Sequence, residues 1–114
     1  MKIIKESLQL LELKQMAAHV FVSFVKAVVD IERAIMAVDA ELHSDLEALL
    51  LEEGSQQKNL WGINLYPDAA FGENFVEFDS MINLRPSQGN KSRGVDNPEM
   101  RKKISAIVKK RITP

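Results

Sequence analysis

Val25-Lys26-Ala27-Val28-Val29-Asp30-Ile31-Glu32-Arg33 (25–33) decides the fold, because this stretch satisfies two periodicities at once. With the 3.6-residue period of a helix, Phe21, Phe24, Val25, Val28, Ile35 and Met36 make one apolar stripe. The Ala, Glu and Leu content of residues 20–53 also favours helix. With the two-residue period of a strand, Val25, Ala27, Val29 and Ile31 face one way while Lys26, Asp30 and Glu32 face the other. The density of β-branched side chains in VKAVVDI favours strand. Periodicity by itself leaves both readings open.

Downstream the signals are clearer. Two apolar runs, 48–51 and 60–66, flank Gly54, Ser55 and polar residues, which predicts a β-hairpin with a long loop. Trp61 opens the second run and reads as a packing residue, while Gly62 beside it marks a bulge or a close backbone approach. Pro67 closes that strand. Residues 75–84 alternate for most of their length, so they are expected to form a further strand, stopped by Pro86 because proline cannot continue a ladder. The last element is a helix: Asp96 or Asn97 caps it, Pro98 fits its first turn, and Met100, Ile104, Ile107 and Val108 form its apolar stripe. Upstream, Ser7 is a suitable cap for a leucine-rich helix, and Ile3-Ile4 is short enough for an edge strand.

At 114 residues the chain is expected to be a single domain, 1–114. The absence of cysteine excludes disulfides, thiolate metal sites and thiol nucleophiles, and it fits a reducing compartment. No stretch is apolar for the roughly 18 residues that a membrane-spanning helix requires, and the start lacks the apolar core of a signal peptide. A cytoplasmic protein with no membrane partner is the expectation. The net charge of −1 conceals a division: +2 over residues 1–29, −10 over 30–79 and +7 over 80–114. Such asymmetry marks either a face that meets an anion or parts that neutralise one another.

VKAVVDIER (25–33), ELHSD (41–45), ALLLEEGSQQKNLWGINLYP (48–67) and FDSMINLRPSQGNKSRGV (78–95), taken together, resemble a family of small uncharacterised bacterial and archaeal proteins catalogued only as a domain of unknown function. The family pattern often carries two glycines where this chain has Asp39 and Ala40. Such a pair implies a tight hairpin turn there and tips residues 25–45 toward strand. The resemblance implies no activity.

The expected fold is α+β: an antiparallel sheet of four to five strands, with an N-terminal and a C-terminal helix packed on one face. A homodimer is the expected oligomer.

Two clusters stand out as candidate sites. Arg85, Gln88, Asn90, Lys91, Ser92 and Arg93 are donors set between Gly89 and Gly94, a composition suited to an anionic ligand. The spacing is not that of a phosphate-binding loop, which excludes a nucleotide triphosphatase of that type. Glu41, His43, Asp45 and Glu47 would share one face of a strand, where Glu41, His43 and Asp45 could supply acid/base chemistry or the set could seat a divalent metal; on a helix only Glu41 and Asp45, or His43 and Glu47, would be neighbours. No nucleophilic triad can be assembled, no metal is assigned and no cofactor is named. The preferred function is therefore binding of a phosphorylated or other anionic ligand through residues 85–94, in an RNA-acting protein or a small hydrolase. The acidic middle of the chain argues against duplex DNA. The alternative is a non-enzymatic homo-oligomeric module whose polar loop is structural, with Arg85 and Arg93 spent on Asp30, Glu32 or Asp79.

Overall fold

The computed structural model describes residues 1–114. Its elements are β1 (Lys2–Ile4), β2 (Leu8–Gln9), α1 (Leu10–His19), β3 (Val25–Asp30), β4 (Ile35–Val38), α2 (His43–Glu52), β5 (Leu60–Leu65), β6 (Val76–Glu77), α3 (Pro98–Arg111) and β7 (Ile112–Thr113). Residues 25–30 are strand, and β3 is the centre of an antiparallel five-stranded sheet ordered β1-β4-β3-β5-β6. The fold is α+β, with helices near both ends of the chain.

The ambiguity of residues 25–33 has a physical origin. Val25, Ala27 and Val29 face a core shared with Leu13 and Ala17 of α1 and with Ile104, Ile107 and Val108 of α3. Val28 faces the opposite core with Leu46 and Leu50 of α2. Both faces of β3 are covered, so the strand is apolar on both sides and its alternation is blurred. The predicted placement of the terminal helices on one face holds, with α2 covering the other.

β3 turns into β4 through residues 31–34, not through Asp39-Ala40. The Asp30 carboxylate makes that turn by accepting from the backbone N–H groups of Glu32 (2.9 Å) and Arg33 (3.0 Å). Ser55 Oγ donates to the other oxygen of Asp30 at 2.6 Å. The ion pairing of Asp30 with Arg85 or Arg93 that the alternative reading invokes is thus replaced by a turn cap. Asp39 lies after β4 with a φ of 75°, where the resemblance implies glycine; aspartate tolerates that region better than most residues.

Three other expectations are corrected. α1 begins at Leu10 and not at Ser7, because Leu8 and Gln9 are drawn into a short parallel pairing with Ile112 and Thr113. Residues 48–51 belong to α2 rather than to a hairpin strand; Leu46 and Leu50, four apart, are the fully buried positions. Of the strand expected over 75–84, only Val76–Glu77 forms, and Met81–Asn83 is a 3-10 turn with Met81 62% exposed.

The missing strand is replaced by side chains. On β5, Leu60, Gly62 and Asn64 turn their backbone groups away from β3. Asn64 is paired with Glu77 of β6. Gly62 is met instead by the Asn83 side chain, whose Oδ1 accepts from Gly62 N–H (2.8 Å) and whose Nδ2 donates to Gly62 O (2.9 Å). Leu60 O accepts from Arg85 Nη2 at 2.6 Å. The segment carrying Asn83 crosses so close that a Cβ on Gly62 would lie 2.5 Å from Ser80 Cβ, which is why glycine stands there.

Candidate functional site

Register places a polar row at the end of the sheet face that α2 covers. Lys26 of β3 pairs with Asn64 of β5, and Asn64 with Glu77 of β6. Val28 and Leu60, on the same face, are buried under α2, whereas Lys26, Asn64 and Glu77 lie beyond its first turn. The resulting cleft has a volume of about 340 Å³ and is completed by Leu42, His43 and Ser44 at the start of α2 and by Asp79, Ser80 and Arg93.

His43 is the buried member of the helix start. Its Nε2–H donates to Ile63 O at 2.8 Å, which leaves the lone pair of the neutral ring on Nδ1. Burial holds its pKa below the usual value, with nearby Lys26 pushing the same way; the bond to Ile63, the charge of Asp79 and the neighbouring Asn64 amide oppose this. No side chain caps α2: Leu42 occupies the N-cap position, so the positive end of the helix is left to the cleft. Lys26 takes part in none of the chain's ion pairs, and its ammonium sits 5.2 Å from the centre of the Phe21 ring. Arg93 Nε bonds Asp79 Oδ1 at 2.9 Å, and its side chain stays about half exposed.

Asn64 is only 6% exposed. Its Nδ2 donates to Glu77 Oε1 at 2.8 Å, which fixes the orientation of the amide, and its Oδ1 has no hydrogen-bond partner. Tyr66 O–H donates to the same Glu77 oxygen at 3.1 Å. A buried amide oxygen without a donor is an uncommon cost, and one that a ligand or bound water would relieve.

Of the residues expected from the sequence, the structure brings His43 and Arg93 together in this cleft. Glu41 and Asp45 are exposed and do not line it, because the local structure is a helix start and not a strand. Arg85 is 8% exposed and points inward: Nη1 donates to Gln57 O (2.7 Å), Nη2 to Leu60 O, and the guanidinium lies 4.1 Å from the centre of the Trp61 ring. Burial lowers its pKa, partly offset by Glu47.

Asn90 is also internal, its Nδ2 donating to the carbonyls of Asn83 (2.8 Å), Ser92 (3.1 Å) and Gly94 (2.8 Å) while Oδ1 accepts from Asp96 N–H (2.8 Å). Ser92 Oγ and the Lys91 N–H donate to the Asp96 carboxylate, and these bonds hold its pKa below the usual range. Asn97, rather than Asp96, caps α3 by accepting from Glu99 N–H at 2.9 Å. Gln88 and Asn90 border a separate hollow beside Trp61, Asn97 and Met100.

Lys26, Asn64 and Glu77 belong to no motif that marks them as site residues in the sequence. One signal is available there: Asn64 interrupts the buried apolar run LWGINL, where an unpartnered amide would be costly.

No curated protein and no solved structure matches this chain. No helix is long and apolar enough to cross a membrane. The family model described as "Protein of unknown function (DUF5674)" matches residues 2–111, nearly the whole chain, and the protein belongs to that family.

Proposed function

We propose that the protein binds a small anionic ligand, most simply a phosphorylated one, in the cleft at the start of α2. The observation that carries this reading is the convergence of the uncapped α2 N-terminus with Lys26, which has no carboxylate partner, and with the outer guanidinium nitrogens of Arg93. Two cations and a helix end give an oxyanion both charge and N–H donors. The site expected on residues 85–94 thereby contracts to Arg93. Arg85 and Asn90 are spent within the fold, and they set the course of the chain that carries Arg93 to the cleft. Glu77 and Asp79 on the outer wall disfavour a long polyanion, so the reading is a small ligand and not a nucleic-acid backbone. His43, neutral and holding a lone pair at Nδ1, gives the cleft one group able to take a proton.

The test is thermal denaturation with ethyl phosphate and with propionate at constant ionic strength. Either anion at ten times its dissociation constant stabilises the fold by about 1.4 kcal/mol, and Lys26→Ala/Arg93→Ala removes that gain. No shift at tens of millimolar with either probe, or an undiminished shift in the double variant, would refute the reading.

A further inference from the structure

The same cleft has a second chemical side. Asn64 Oδ1 is buried and unpartnered. Glu77 receives Asn64 and Tyr66 on Oε1 alone, and Asp79 receives Arg93 on Oδ1, so neither carboxylate's other oxygen is bonded within the protein. These acceptors stand along one wall, on β6 and the segment that follows it, with Asn64 at their base. The donors Lys26 and the first turn of α2 stand on the other, and Arg93 reaches the cleft from beside Asp79. An anion satisfies only the donor wall and meets repulsion from Glu77. A ligand carrying a positively charged N–H group beside its anion satisfies both, and it supplies the donor that Asn64 Oδ1 lacks.

We infer that the ligand is a small zwitterion, with a phosphate or carboxylate held by Lys26, Arg93 and the α2 N-terminus and an ammonium held by Glu77, Asp79 and Asn64 Oδ1. This rests on the anion reading above. The two groups are close, since a cleft of about 340 Å³ accommodates a compact molecule and not an extended chain.

The experiment compares matched probes by isothermal titration at pH 7.5: phosphoethanolamine against ethyl phosphate, β-alanine against propionate, and ethanolamine alone. The expected result is that one zwitterion binds about tenfold or more tightly than its matched anion, the scale of one charge-assisted hydrogen bond in a shielded site. Comparison of the two pairs tells phosphate from carboxylate at the anionic end. Glu77→Gln, which keeps an oxygen for Asn64 and Tyr66, brings the zwitterion's affinity down toward that of the anion. Urea denaturation of the variant checks that it remains folded; should it not, Asp79→Asn makes the same comparison. Equal binding of zwitterion and anion overturns the inference and leaves the anion reading standing. No binding by any anionic probe overturns both, and tight binding of ethanolamine alone overturns the anionic half.

Discussion

Replacing Arg85 tests whether the donor-rich loop is a structural part or a binding surface. Arg85→Met keeps most of the volume and the apolar stem but removes the guanidinium. The bonds lost are those to Gln57 O and Leu60 O, at 2.7 and 2.6 Å, each from a charged donor to a backbone carbonyl, the first partly and the second fully buried. Such bonds are worth about 1.5–3 kcal/mol each. The stack on Trp61 adds about 0.5–2 kcal/mol. Against this, the variant no longer buries a cation, and Arg85 has no carboxylate within ion-pair distance, so several kcal/mol of desolvation return. The net expectation is a loss of about 3 kcal/mol. With an unfolding entropy of about 2.1 cal/mol/K per residue, a chain of 114 residues loses about 12 °C of Tm. Arg85→Lys recovers less than half, since an ammonium cannot reach two carbonyls as a fork and stack on the indole as well. Urea and thermal denaturation followed by circular dichroism measure both variants. A cost below about 1 kcal/mol for Arg85→Met, or full rescue by lysine, would refute the structural account of Arg85.

Asn90→Ala leaves three carbonyls and the Asp96 N–H without their partner, and it costs about 2–4 kcal/mol in the same denaturation assay. Gly62→Ala drives a methyl group against Ser80 and destabilises by about 1–3 kcal/mol, and adding Ser80→Gly recovers part of the loss. His43 has a folded-state pKa below its unfolded value of about 6.5, so the unfolded chain takes up the proton first as pH falls. Stability therefore drops as pH falls from about 6.5 towards the folded pKa, by up to about 1.4 kcal/mol per pH unit, and flattens below it. His43→Gln abolishes that slope when urea midpoints are compared across pH 5–7.5; an unchanged slope would remove His43 from the account.

How much of the structure is legible in the sequence depends on how local each signal is. The terminal helix is legible because Asn97, Pro98 and its apolar stripe all act within a few residues. Strand β3 is legible only as a preference, because burial on both faces erases the alternation by which half-buried strands are recognised. The leucines at 49–51 look like a strand core, yet only Leu46 and Leu50 are fully buried, a pairing visible once helical spacing is imposed. The expected strand over 75–84 fails for a different reason. Asn83 and Arg85 bond β5 with side chains, and nothing in an alternating pattern tells a backbone ladder from its side-chain substitute. The donors Asn83 and Arg85 are plain in the sequence, but their acceptors are not, because they lie on residues distant along the chain: Gln57 and Leu60 for Arg85, Gly62 for Asn83. Lys26, Asn64 and Glu77 are neighbours only through strand register, which no motif of contiguous residues expresses.

The side-chain substitute along β5 also closes part of a sheet edge. A strand with Leu60, Gly62 and Asn64 facing outward and only two residues of β6 beside it would offer a template to any passing chain. Asn83 and Arg85 close that template without adding a strand, and a strand in their place would itself have had an open rim. Beyond β6, this stretch of β5 terminates in amide and guanidinium groups, which offer no backbone ladder to a further strand. Loss of Asn83 would then be felt first at high concentration, as strand-to-strand association of molecules whose overall fold is still intact.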